Sequence, residues 1–167
     1  MADTTCCFLG HRKINVTNKL NEKLYNIIEA LIVEKNIDTF LFGSKSQFND
    51  LCYHITSQLK AFYPNIKRVY VRAEFPHIND SYKTYLLESY EETHYPDSIL
   101  NAGKSAYIKR NFEMINNSSF CIVYFDKSYT PPTSRLNHKY KSGTGIAYDY
   151  AVKKQKHIIN VFNDISE

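Results

Sequence analysis

No apolar run in this 167-residue chain approaches the roughly 18 to 20 residues needed to cross a bilayer. The opening Met-Ala-Asp-Thr-Thr has no basic stretch followed by an apolar one, so the expectation is a cytoplasmic chain with no membrane partner. Metal-type spacing of histidine, cysteine or carboxylate is absent too, which argues against a bound metal. The four cysteines, Cys6, Cys7, Cys52 and Cys121, each lie inside an apolar segment and read as buried free thiols. There is no basic block. The formal charge is +4 with lysine and arginine scattered along the chain, which leans toward an anionic small molecule and away from nucleic acid. Nor is the composition that of a disordered chain, since 43% of residues are hydrophobic and 23% charged. No repeat or linker divides it, so residues 1–167 are read as one domain.

The apolar residues alternate between two kinds of pattern. Residues 5–9 form a short apolar run closed by Gly10, as a buried strand would. Leu20, Leu24, Ile27, Ile28, Leu31 and Ile32 then recur at helical spacing, with Thr17 or Asn18 available as a cap. A second round follows. Residues 39–42 are apolar and end in Gly43-Ser44, and Phe48, Leu51, Cys52, Ile55, Leu59 and Phe62 mark a helix that Pro64 terminates. Further strands are expected over 68–71, 120–125 and 157–162, with helices from about 104 to 116 and after Ser142. Residues 74–103, rich in Tyr, Pro and His, read as irregular structure over one edge of the sheet, and 127–141 as an exposed loop. Strand–helix alternation of this kind builds an α/β fold: a Rossmann-like, doubly wound domain with a mainly parallel sheet of about five strands.

Three loops leave the carboxyl ends of expected strands or open a helix: Gly10-His11-Arg12, Gly43-Ser44-Lys45-Ser46 and Ser142-Gly143-Thr144-Gly145. Glycine lets backbone approach closely, hydroxyls and amides donate hydrogen bonds, and Arg12 or Lys45 adds positive charge, which together suit an anion. Each loop alone also reads as an ordinary turn. In doubly wound sheets ligands sit beyond the strand carboxyl ends, so Gly10, Gly43 and Gly143 are expected to converge there. His11 reads either as a phosphate or acid–base contact or as plain polar surface. Tyr82, Tyr85, Tyr90 and Tyr95 either stack on a base or simply pack.

The phrase Thr5-Cys-Cys-Phe-Leu-Gly-His-Arg-Lys, the helix Arg110-Asn-Phe-Glu-Met-Ile-Asn-Asn-Ser, the strand after it and Ser142-Gly-Thr-Gly together resemble the SLOG superfamily over nearly the whole chain. That superfamily joins the cytokinin-activating LOG phosphoribohydrolases, the DNA-processing DprA proteins, YpsA-like proteins and sensor domains of bacterial immunity. By this resemblance Arg110 matches an arginine that LOG enzymes keep before the fourth strand, and Met114 a methionine four residues on. Gly143-Thr144 matches the end of their Pro-Gly-Gly-x-Gly-Thr motif, but Tyr140 and Lys141 replace two of its glycines. Ala147 stands where those enzymes carry a catalytic glutamate. Cleaving a glycosidic bond through a cationic transition state needs an anion beside the sugar. Glu88, Glu91, Glu92 and Asp149 are the alternative carboxylates, with Asp149 turned away from Ala147's direction on a helix.

The resemblance therefore implies a protein that binds a nucleotide or nucleotide-derived signal, related to ADP-ribose, as a sensor or sequestering protein in bacterial or phage immunity. Its ligand contacts would be Gly10, His11, Arg12, Gly43, Ser44, Lys45, Arg110, Ser142, Gly143 and Thr144, with no catalytic residue and no cofactor. The alternative is an N-glycosidase acting on nucleoside monophosphates, and single-strand DNA binding comes third. A homodimer or higher homo-oligomer is implied by the resemblance. Arg110 is expected to point into the ligand site while Ile108, Phe112 and Ile115 face the core.

Overall fold

In the computed structural model, which describes residues 2–129 and 141–162, the first apolar run is strand β1, Thr5–Gly10. Helix α1, Asn18–Lys35, follows. Of the two expected caps it is Thr17 that serves, its hydroxyl accepting from the Leu20 N–H. The second unit is β2, Thr39–Phe42, and α2, Gln47–Lys60, capped by Ser46. Then come β3, Lys67–Val71; a short α3, Asp80–Leu86; β4, Glu92–His94; α4, Ala106–Asn116; β5, Phe120–Tyr124; α5, Gly143–Lys153; and β6, His157–Asn160. All six strands are parallel in the order β4-β3-β2-β1-β5-β6.

The strands alternate their side chains between two helical layers. Cys6, Phe8, Phe40, Phe42, Tyr70, Ile122 and Tyr124 pack with Leu20, Leu24 and Ile28 of α1 and with Phe48, Cys52, Ile55 and Leu59 of α2. Cys7, Leu9, Leu41, Val69, Val71, Cys121 and Val123 face the other way, against Met114 and Ile115 of α4 and Ala147 and Ala151 of α5. The strands bury apolar residues on both faces, as a parallel sheet covered on both sides requires. The four cysteines are buried and free. Among the described residues no helix is long and apolar enough to cross a membrane.

The sheet has six strands, one more than the sequence predicts. The extra strand, β4, lies in the stretch read as irregular and extends the β3 edge. Its three residues, Glu-Thr-His, are too few and too polar to show a period, and pairing with β3 rather than its own pattern makes it a strand. Helix α4 starts at Ala106, after a short 3₁₀ turn at Gly103–Ser105. Its buried face also differs from expectation. Ala106, Arg110, Met114 and Ile115 are buried, while Ile108 and Phe112 are only half-buried. The Phe112 ring stacks on Tyr150 with centroids 3.9 Å apart, so it lies between the helices α4 and α5 rather than on the sheet. Phe62, counted on the apolar face of α2, is 72% exposed because the helix has ended at Lys60. Most of the loop expected over 127–141 lies outside the described residues.

The chain walks outward from β1 to β4, then restarts on the other side of β1 with β5. Loops after β1 and β5 therefore part in opposite directions and leave a crevice at the carboxyl ends of the strands.

Candidate functional site

A cavity of about 710 Å³ occupies that crevice, a volume within the range of small-molecule sites. All ten residues expected to hold a ligand line it. The β1 loop brings Gly10, His11 and Arg12, the β2 loop Gly43, Ser44 and Lys45, helix α4 Arg110, and the start of α5 Ser142, Gly143 and Thr144. The three glycine-bearing loops thus converge at one end of the sheet.

Arg110 is the most unusual of them. It is only 7% exposed, yet no carboxylate among the described residues pairs with it. Its one side-chain hydrogen bond among the described residues runs from Nε to Asn111 Oδ1 at 3.1 Å, and its guanidinium lies 5.7 Å from the centre of the Tyr107 ring. Burial pulls the guanidinium below its ordinary value, against the opposing influence of the Tyr70, Tyr107 and Tyr82 oxygens. Gly43 leaves room for this placement. A Cβ there would sit 2.5 Å from Met114 Sδ and 2.7 Å from Arg110 Cδ, so a side chain at this position would have to displace the ends of both. Gly10 makes room in the same way for the Phe48 side chain.

The other positive groups are placed less deeply. Arg12 and Lys45 are exposed, with Lys45 Nζ 5.1 Å from the Tyr82 ring centre, and Lys141 is ion-paired with Asp149 on the surface. At the start of α5 the Ser142 hydroxyl accepts from the Gly145 N–H at 3.0 Å. The N–H groups of Gly143 and Thr144, which precede the first intrahelical donors, meet no acceptor among the described residues. Next to β2, Ser44 Oγ and Ser46 Oγ are 2.9 Å apart.

His11 is buried, 4% exposed, which excludes the plain surface reading. Its Nε2 accepts from the Asp126 N–H at 2.9 Å and its ring lies against Tyr129, centroids 4.4 Å apart. Burial lowers its pKa, partly offset by the Asp126 charge. With Nε2 accepting, the neutral ring carries its proton on Nδ1. Its Nε2 is therefore committed to the backbone and is not a free base.

The alternative carboxylates do not reach the cavity. Glu91 is locked to Arg68, Oε1 to Nη2 at 2.7 Å and Oε2 to Nε at 3.1 Å, at the opposite end of β3. Glu92 pairs with Lys67, Asp149 with Lys141, and Glu88 is exposed outside the cavity. The acidic residue that does line it is Glu74, three residues beyond β3, and it was not among the expected ones. Extending to β3 the rule that strand carboxyl ends carry site residues would have singled it out, together with Tyr70 and Phe75. Tyr107 also lines the cavity, on the Arg110 face by its three-residue spacing. Of the four tyrosines weighed for stacking only Tyr82 lines it. Tyr90 packs against Phe42, Tyr53 and Tyr70, Tyr85 stacks on the outside of Tyr82, and Tyr95 donates to the Glu74 carbonyl.

Among the described residues no group of three or more His, Cys, Asp or Glu side chains is placed to hold a metal. No protein-family profile matches the chain, and no curated protein matches it.

Proposed function

We propose that the cavity binds a nucleotide or nucleotide-derived small molecule and holds it without turnover. The observation that carries the reading is Arg110, a buried guanidinium with no carboxylate partner that lines an open cavity. A desolvated charge is retained at a cost unless something pairs with it, and a planar fork of donors suits phosphate. The Gly143 and Thr144 amides, without an acceptor among the described residues, and the nearby Arg12 and Lys45 favour an anion at the same place. Five aromatic side chains, Tyr70, Phe75, Tyr82, Tyr107 and Tyr129, line the remaining wall and suit the flat face of a base. The resemblance to SLOG sensor domains agrees with a signalling nucleotide as the ligand.

Retention without cleavage follows from the acids. Glu74 is held bidentately by Arg72, Oε1 to Nε at 3.0 Å and Oε2 to Nη2 at 2.8 Å, so the charge of the one acid lining the cavity among the described residues is already compensated and is poorly suited to stabilise a cationic sugar. Ala147, at the position of the LOG glutamate, is buried against the sheet. The test is thermal unfolding with AMP, ADP, GMP, NAD and ADP-ribose, followed by chromatography of the mixture. A stabilising compound recovered intact is the expected result. Released base would replace this reading with the N-glycosidase one, and no shift with any compound would remove both.

A further inference from the structure

The cavity wall is chemically lopsided. The Gly143 and Thr144 amides at the start of α5 lie by the ends of β1 and β2, where Thr144 meets Gly10 and Ser44. Arg12 stands over β1, and Arg110 crosses the end of β2 beside Gly43. Arg12 and Arg110 thus stand at β1 and β2, while Lys45 Nζ reaches over the Tyr82 ring at 5.1 Å on the β3 side, and what sets the β3 end apart is the wall's one acidic side chain among the described residues, Glu74. The two ends therefore favour different parts of one ligand.

Glu74 is not spent by its neighbours. Its two oxygens offer about four acceptor sites. Arg72 Nε takes one on Oε1, while Arg72 Nη2 and the Asn79 N–H, at 2.8 and 3.3 Å, take those of Oε2. One acceptor site remains on Oε1. Within the pair the Arg72 side chain is 5% exposed and that of Glu74 16%, so the acid is the partner nearer the open space. Arg72 is also fixed from behind by the Asn79 carbonyl at 2.9 Å, which holds the carboxylate in place before any ligand arrives. A fixed acceptor of this kind takes an O–H and repels an anion.

Resting on the nucleotide reading above, we infer that Glu74 accepts from a ribose hydroxyl and sets the direction of the ligand, phosphate toward Arg110 and α5, free sugar hydroxyls toward β3. The spacing agrees. Arg110 crosses the end of β2 and Glu74 follows β3, neighbouring strands about 4.8 Å apart, on the order of the reach of a 5′-phosphorylated pentose. Aromatic groups stand at this end for the base, with Tyr70, Tyr82 and Phe75 in the wall beside Glu74. The site then distinguishes ribonucleotides from deoxyribonucleotides and rejects nucleotides whose sugar hydroxyl carries a second phosphate, even though the rest of the cavity is positive.

Calorimetric titration of the whole protein with AMP and GMP, their 2′-deoxy counterparts and their 3′,5′-bisphosphates tests this. The deoxy compounds are expected to bind about 10-fold more weakly, the scale of one hydrogen bond to a charged group. The bisphosphates are expected to bind at least about 10-fold more weakly than the monophosphates, as a phosphate facing a fixed carboxylate would. In Glu74→Gln the amide keeps its oxygen for Arg72 and turns its NH₂ toward the cavity, so the bisphosphates should tighten by about 10-fold relative to the parent. Equal binding of ribo and deoxy compounds by the parent, or tighter binding of the bisphosphates, overturns the assignment of Glu74 and leaves the nucleotide reading standing. If none of the six compounds binds, the nucleotide reading falls and this inference with it. Should Glu74→Gln fail to fold, the series on the parent protein decides alone.

Discussion

Two buried arginines near the ends of β3 and its neighbours, Arg68 and Arg110, are held in opposite ways. At the amino end Arg68 is enclosed by partners: Glu91 takes Nε and Nη2 and accepts from the Arg68 backbone N–H, Ser57 Oγ accepts from Nη1 at 2.6 Å, and the Tyr53 ring lies 4.9 Å away. Glu91 in turn loses some solvation, but its bonds to Arg68 win and hold its carboxyl at about 2. At the carboxyl end Arg110 is as deeply buried, with one amide oxygen for company. The first arrangement is a closed ion pair, which a fold retains because breaking it leaves a charge stranded. The second already has a stranded charge, and it lies on a cavity. A protein that buries a cation without its counter-ion leaves room for one to arrive from outside, and this contrast is what makes the carboxyl end a binding site on the proposed reading.

The largest effect on folding is expected at the closed end. Glu91→Ala strands Arg68, and because Glu91 keeps about 27% of its side-chain surface the loss is set below that of a fully buried pair, at roughly 2 to 3 kcal/mol. Urea unfolding measures it, and nucleotide affinity should stay that of the parent. A loss under about 0.5 kcal/mol, the size of an ordinary surface pair, would erase the contrast between the two ends. The pH dependence carries the same sign. A carboxyl depressed in the fold contributes stability that is fully present above its unfolded value near 4.5 and lost as the pH falls toward about 2. The acid limb of the parent's stability curve should flatten over that window in Glu91→Gln.

Next in size is Gly43→Ala. The new methyl would overlap Met114 and Arg110 at 2.5 and 2.7 Å, and overpacking of this kind costs roughly 1 to 3 kcal/mol. Part of it should appear as weakened nucleotide binding, because relief of the overlap displaces the arginine. An unchanged melting temperature together with unchanged affinity would show that Arg110 does not depend on Gly43 for its position.

How far the sequence foretold these arrangements depends on how local their causes are. Strands β1, β2 and β5, a cap at Thr17 or Asn18 and the opening of a helix at Ser142 were legible because each rests on a few adjacent residues. The three loops were legible for the same reason. Strand β4 was not, since it exists only through pairing with β3. Glu74 and Glu91 show the limit most clearly. Both are acids in one Tyr-rich stretch, and only the course of the chain decides that Glu91 closes on Arg68 while Glu74 faces the cavity. His11 was legible as a site residue but not as a buried one, because its cover comes from Asp126 and Tyr129, more than a hundred residues away.

Smaller effects sharpen the picture at the carboxyl end. Burial keeps the His11 pKa below 6.5, so the unfolded chain takes up this proton first as the pH falls. The contribution is fully present above about pH 6.5 and is lost as the pH drops through the folded value. Comparing the parent with His11→Gln by urea unfolding across this range should show the parent alone weakening between neutral pH and the Glu91 window. Parallel curves would mean that the imidazole is not held neutral by its surroundings. The smallest change is expected of Gly143→Ala, where a Cβ meets nothing within 4 Å. Helix α5 should gain up to about 0.5 kcal/mol from the better helix former. Nucleotide affinity should nevertheless fall, because the same methyl stands where a phosphate would approach the Gly143 and Thr144 amides. A rise in stability with parent-like affinity would take the start of α5 out of the site.

The most direct measurement is the unfolding of Arg110→Met with and without AMP. Methionine keeps the unbranched stem and removes the charge, and replacing a poorly compensated buried charge by an apolar group of similar size is neutral or stabilising. The predicted result is an unfolding midpoint without AMP at or above the parent's, and no upward shift on adding AMP at a concentration that raises the parent's midpoint. Affinity lost through this one side chain should amount to roughly 2 to 4 kcal/mol, the scale of a truncated buried charge contact. A midpoint without AMP that drops as far as that of Glu91→Ala would mean that Arg110 serves the fold, and a parent-like shift with AMP would mean that the ligand does not touch it.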